Sequence, residues 1–204
     1  MFIAIVTFEG FNEIDSLVAL NLLGRIRKPG DRIAIASSTP KLTSRNGLRV
    51  HAQATLQEAC EADAVIVGSG IHTLAISEDV EVMSQLKFDP TRQLIGSQCS
   101  GALLLAKLGL LRGVAACTDL STKPWVEKAG IEVADRPFNA NGNIATAGGC
   151  LASIYLATWI IARTQGLQAA RKALDYIVPV GEQEEYICRA VKAVSPFLPV
   201  PVEA

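Results

Sequence analysis

Histidine is nearly missing from this chain: His51 and His72 are the only two in 204 residues. A mechanism that needs an imidazole therefore has two candidates and no more. No Cys-x-x-Cys occurs among the five cysteines, at positions 60, 99, 117, 150 and 188. An odd, widely spaced set of this kind argues against a zinc site or a disulfide framework and suits a reducing cytoplasm. Charge is sparse and balanced, 19 basic against 20 acidic side chains with no block of one sign. That disfavours nucleic acid and anionic membranes as partners. The longest apolar stretches lie within "LASIYLATWIIAR" and "GALLLAKLGLL" and are too short to span a bilayer. The opening "MFIAIVTF" has no basic lead-in and reads as a first strand rather than a signal peptide.

What is present is a regular alternation. "FIAIVTF" (2–8), "RIAIASS" (32–38), "AVIVG" (64–68) and "QLIGSQ" read as strands, and "VAACT" as a further one. Between them lie helical stretches: 13–26 with an apolar face on Ile14, Leu17, Val18 and Leu22, a short "LQEACEA", 77–88 with Ser77 as its N-cap, and a helix from Ser100 to Leu111. Two hairpins are expected, one turning at Asn46-Gly47 and one at Asn141-Gly142. "TKPWVEKAG", "GGCLASIYLATWIIARTQG", "LQAARKALDYI" and "EQEEYICRAVKAV" complete the helices before a Pro-rich tail. The length fits one domain, 1–204. Strands alternating with helices predict an α/β fold, a mostly parallel sheet with helices on both faces. Ligands in such folds bind at the carboxyl ends of the strands, where three elements emerge: Glu9 to Asp15, the Gly68–Ser69–Gly70 loop, and Cys99.

Cys99 stands in the pattern Ser97-x-Cys99-x-Gly101, between a strand and a helix. A sharp turn that displays a nucleophile needs small neighbours, as in the serine pattern Gly-x-Ser-x-Gly. At the start of a helix, free N–H groups and the dipole favour thiolate over thiol. The plainer alternative is a packing cysteine that happens to end a strand. Cys60, Cys117 and Cys188 read as packing residues, and Cys150, after Gly148-Gly149, either packs its helix or lines the same pocket. Asp15 lies near the start of its helix, where a carboxyl beside a thiol can share its proton, or where it and Glu13 merely suit the helix dipole.

The cysteine elbow with "GALLLAKLGLLRG", the early "FEGFNEIDSLVAL" and the late "TAGGCLASIYLA" resemble the ThiJ/PfpI superfamily of the class I glutamine-amidotransferase-like group, within it the isonitrile hydratase-like subgroup. The resemblance runs from residue 1 to about residue 165 and implies a flavodoxin-like three-layer sandwich with a cysteine elbow. It places the nucleophile on Cys99, the acidic partner on Asp15 and the hydroxyl residue after the cysteine on Ser100. An oxyanion-type pocket falls on the amides of Gly68, Ser69, Gly70 and Ser100. It further implies a small-molecule substrate, no cofactor, no metal and a homodimer.

Two departures matter. Where the superfamily carries histidine after the next strand, this chain has "CTDL", putting Asp119 in its place. The family Pro-Gly-Gly loop is Gly68-Ser69-Gly70 here. Asp119 reads either as a second acid or as a helix-start residue. His72 either reaches the pocket from the loop or sits exposed, and His51 faces solvent. The functions to weigh are isonitrile hydration to a formamide, which has no obligate need of histidine, redox or ligand sensing by an oxidisable cysteine, and a glyoxalase- or deglycase-like activity. A regulator with a tandem helix-turn-helix pair is disfavoured, since the residues after Thr164 are too few and not basic enough.

Overall fold

The structure, a computed structural model, describes residues 1–199. Its main sheet has seven strands in the order β5-β2-β1-β6-β7-β9-β8. These are β1 (Phe2–Val6), β2 (Arg32–Ser37), β5 (Ala54–Thr55), β6 (Ala64–Val67), β7 (Leu94–Gln98), β8 (Phe138–Asn141) and β9 (Ile144–Ala147). All neighbours run parallel except the edge pair β8–β9. The central strands are apolar on both sides because both faces are covered. Along β1, Ile3 and Ile5 join one core while Ala4 and Val6 join the other.

The first core packs beneath α1 (Glu13–Gly24), α7 (Ser153–Gln165), α8 (Leu167–Ile177) and α9 (Gln183–Val194), with Trp159 fully buried in it. The second lies under α2 (Leu56–Cys60), α3 (Thr73–Glu78), α4 (Val80–Gln85), α5 (Gly101–Lys107) and α6 (Lys123–Lys128). The result is the expected three-layer α/β sandwich. A separate hairpin, β3 (Lys41–Thr43) and β4 (Arg49–His51), turns at Asn46-Gly47 as the dipeptide predicts and leaves Ala54 free to pair with β2. Among the described residues no helix is long and apolar enough to cross a membrane.

Several local expectations are corrected. The helix expected at 77–88 is two short ones, and the N-cap is Asp79, whose carboxylate accepts from the Val82 amide; the Ser77 hydroxyl instead donates back to Leu74. "VAACT" forms no strand, only a bridge between Ala116 and Val133. Cys188 is exposed and donates to Glu184 rather than packing, whereas Cys60 and Cys117 are buried. On α1 the buried positions include Asp15, Ser16, Ala19 and Leu22, while Ile14 is turned outward. Apolar side chains nearly encircle that helix, so spacing alone did not fix which face points inward. Of the Pro-rich tail, residues 200–204 lie outside the described residues.

Candidate active site

The turn between β7 and α5 forces its central residue into the left-handed region. Cys99 has φ +46°, and among the described residues it is the only non-glycine with positive φ. Such a conformation costs about 1–2 kcal/mol and persists because its surroundings hold it. The Cys99 amide donates to Ala147 (2.8 Å), and its carbonyl accepts from the Thr118 hydroxyl (2.8 Å) and the Ala102 amide (3.2 Å). Glycine is required two residues on: a Cβ at Gly101 would lie 2.3 Å from the Val67 carbonyl oxygen. The small-x-Cys-x-small pattern thus has a steric cause.

Asp15 meets this turn from α1. It is 0% exposed. Its Oδ2 accepts from the Ser69 hydroxyl, while Oδ1 has no hydrogen-bond partner. A carboxylate oxygen of Asp15 and the sulfurs of Cys99 and Cys150 all lie within 4.8 Å of one another. Burial raises the Asp15 pKa, partly offset by the Ser69 hydroxyl bond and by the two nearby thiols. Burial also raises Cys99, reinforced by the Asp15 charge. Both act against the thiolate that the helix start favours, and α5 is short. A buried thiol–carboxyl pair of this kind titrates as a unit. Asp15, Cys99 and Cys150 also present the donor atoms that could hold a metal ion, although the sequence reading expected none.

Cys99, Cys150, Ser69, Gly70, Ser100 and Asp119 line one open cavity of about 290 Å³. Cys150 is half-buried on a 3-10 turn (Cys150–Ala152), and the Asn12 side-chain amide donates to its sulfur at 3.0 Å. Gln98 ties the two cysteine turns together, donating to the Gly149 carbonyl (2.9 Å) and approaching Cys99 Sγ (3.5 Å). The amides of Ser69 and Ser100 find no acceptor among the described residues. The Gly70 amide points at the hydroxyl oxygens of Thr73 (3.2 Å) and Ser100 (3.3 Å), which themselves bond at 2.8 Å.

Three expected contributors stand apart from the cavity's reactive wall. The Gly68 amide is spent on the Val6 carbonyl (2.9 Å), so it has no N–H to offer a ligand. His72 is exposed and packs by Gly10 outside the cavity lining, and His51 is exposed on β4. Asp119 does border the cavity, but both its oxygens are engaged at the start of α6, with the Ser121 and Thr122 amides and the Thr122 hydroxyl.

The DJ-1/PfpI family pattern matches residues 1–163, which include the whole of this site. The chain belongs to the DJ-1/PfpI family. An isonitrile hydratase of Pseudomonas putida is 27% identical over 132 residues, 64% of this chain and 58% of that protein. The match thus leaves much of that relative's length uncovered. A deglycase of Thermococcus kodakarensis is 24% identical over 148 residues, 70% of this chain and 87% of that protein. Among solved structures, a ThiJ/PfpI family protein from Pseudomonas syringae superposes with TM-score 0.77 at 22% identity, covering 95% of this chain and 87% of its own. DJ-1 of Schizosaccharomyces pombe gives 0.75 at 16%, covering 88% and 100%. These likenesses place the chain within the family's fold.

The sequence reading missed Asn12, Arg45, Ile71, Thr122 and Trp125 in the cavity wall. Only Asn12 carried a signal, as a cap residue before the first helix, and its side chain does accept from the Ile14 amide. Arg45 arrives through the β3–β4 hairpin, a tertiary placement with no local mark.

Proposed function

We propose that this family member is a cysteine-dependent small-molecule hydratase or hydrolase of the isonitrile hydratase type. The observation that carries the reading is fully buried Asp15, which has one unpartnered oxygen and a carboxylate oxygen within 4.8 Å of the Cys99 sulfur, itself beside an open cavity. A carboxyl with an unpartnered oxygen beside a thiol has a proton-transfer role available to it and little structural reason to be there. Cys99 sulfur adds to the terminal carbon of an isocyanide as Asp15 passes the thiol proton to that carbon, giving a thioimidate. Water then adds to the same carbon, and collapse releases the N-substituted formamide and the restored thiol. The Ser69 and Ser100 amides, left without protein acceptors, suit the charge that develops in the second step. Ser100 Oγ, bonded to Thr73, holds the loop edge in place.

The mechanism calls on no histidine, in keeping with a cavity wall that has none among the described residues. The chain works as one domain in a reducing cytoplasm, without a cofactor. Ile71 on the cavity wall is exposed, as are Leu120 and Leu151, the sequence neighbours of wall residues Asp119 and Cys150, and these apolar side chains favour a homodimer. A sedimentation run showing a single monomer species would refute the dimer.

The direct test is incubation with p-nitrophenyl or cyclohexyl isocyanide while following formamide. Turnover is the expected result. A second reading, a deglycase- or glyoxalase-like activity, draws on the Thermococcus kodakarensis relative; conversion of methylglyoxal with no formamide from either isocyanide would establish it instead. Turnover of neither, with an intact Cys99 thiol, would shift the assignment to sensing.

A further inference from the structure

Cys150 has no part in the addition chemistry above, yet its sulfur lies within 4.8 Å of Cys99 Sγ and of an Asp15 oxygen. We propose that Cys150 is a resolving thiol: with a peroxide as oxidant, Cys99 and Cys150 form a reversible disulfide that protects the nucleophile from irreversible oxidation. The two sulfurs border the same cavity, so a small peroxide that reaches one reaches both. Bond formation needs a closing movement of at most about 2.8 Å, given a disulfide length near 2 Å.

The structure provides for that movement on the Cys150 side. Its turn follows Gly149, at φ +85° with no atom within 4 Å of where a Cβ would stand. The next residue, Leu151, is 72% exposed, so its side chain does not oppose a shift of Cys150. The Asn12 side-chain amide donates to Cys150 sulfur at 3.0 Å and keeps that sulfur turned to the cavity both cysteines line. A carboxylate oxygen of Asp15 lies within 4.8 Å of both sulfurs, within reach to take up a thiol proton.

The chemistry balances. Cys99 sulfur attacks one oxygen of hydrogen peroxide, the O–O bond breaks, and the thiol proton leaves on the other oxygen as water, giving the sulfenic acid. Cys150 sulfur then attacks Cys99 sulfur; the sulfenic hydroxyl leaves with the Cys150 proton as a second water. Two thiols and one peroxide become one disulfide and two waters, with two electrons passed to peroxide. A small-molecule dithiol reverses it by two exchanges.

The test uses the full chain, treated with a slight excess of hydrogen peroxide and analysed by mass spectrometry with peptide mapping under non-reducing conditions. The expected product has lost two hydrogens, shows a Cys99–Cys150 cross-linked peptide pair, and regains them on adding dithiothreitol. Cys150→Ser is expected to lose that reversible product and collect two oxygens on Cys99. Cys188→Ser, far from the cavity, removes the exposed thiol and is expected to leave the cross-link unchanged. Direct formation of Cys99 sulfinate in the unaltered chain, or a cross-link joining other cysteines, would overturn the proposal, and so would a dithiothreitol-reversible Cys99 product that persists in Cys150→Ser. If that variant does not fold, the map of the unaltered chain decides alone. None of these readouts involves isocyanide turnover, so this proposal and the proposed reaction stand or fall separately.

Discussion

The turn after β7 and the turn after β9 both bring a cysteine to the cavity, but they are held in different ways. At the first, backbone hydrogen bonds to Ala147, Thr118 and Ala102 fix a left-handed cysteine, and the Val67 carbonyl leaves no room for a side chain at Gly101. At the second, the left-handed residue is Gly149, with open space around it, and the cysteine is held by the Asn12 amide at its sulfur and the Ser153 hydroxyl at its carbonyl. The strained residue is thus a cysteine at the first turn and a glycine at the second. The side chain of Gln98 joins the two.

The largest effect is expected at the first turn. Cys99→Ser should lower formamide production by about 10³-fold or more, since a hydroxyl is a far weaker nucleophile near neutral pH. Unchanged activity would remove Cys99 from the chemistry. Asp15→Asn should cost roughly 10²–10⁴-fold in kcat/KM, the usual range for a positioned acid or base. The same variant has a stability signature. The folded-state pKa of Asp15 is raised, so folding gains from its protonated form at low pH and loses that gain as pH rises from the ordinary carboxylate pKa through the raised one. Denaturant titrations should therefore show a slope of stability with pH over that window that Asp15→Asn flattens, and an identical slope in both proteins would contradict burial as the cause.

Smaller effects separate the two turns directly. Gly101→Ala should destabilise by about 3 kcal/mol, because a backbone oxygen blocks the added methyl. Gly149→Ala should cost about 1 kcal/mol, for its left-handed backbone alone. Equal losses in urea melts would erase the distinction. Smallest of all, Asp119→Asn should change turnover less than about threefold, with a stability loss near 1 kcal/mol from weakening the turn into α6. A rate loss comparable to that of Asp15→Asn would make Asp119 a second reacting acid.

The fold was largely legible because strand periodicity and strong turn dipeptides are local signals: Asn46-Gly47 marks its hairpin turn, and the second hairpin turns one residue later than expected, at Gly142-Asn143, with Asn141 paired to Ile144. The failures were local as well. Ser77 resembles a cap in sequence, but Asp79 two residues on competes for the same role. The site was legible where one turn builds it, as at Ser97–Gly101, and illegible where distant segments meet. Nothing near Gly68 reveals that Val6 takes its amide, and nothing near Arg45 reveals the cavity it borders. The surroundings of the Cys99 sulfur were illegible for the same reason. A helix start is visible in sequence, whereas the depth of burial and an incoming carboxylate are not.

The Glu13 carboxylate accepts from the Ser44 hydroxyl and from both the backbone and side-chain amides of Asn46, clasping the tip of the β3–β4 hairpin to the start of α1. Arg45 sits at that tip, on a segment outside the main sheet. One part of the cavity wall is therefore carried by a module separable from the cysteine turn. Exchanging the residues between these two short strands, with the clasp kept, gives an engineer a way to retune what enters while the reacting sulfur stays in register.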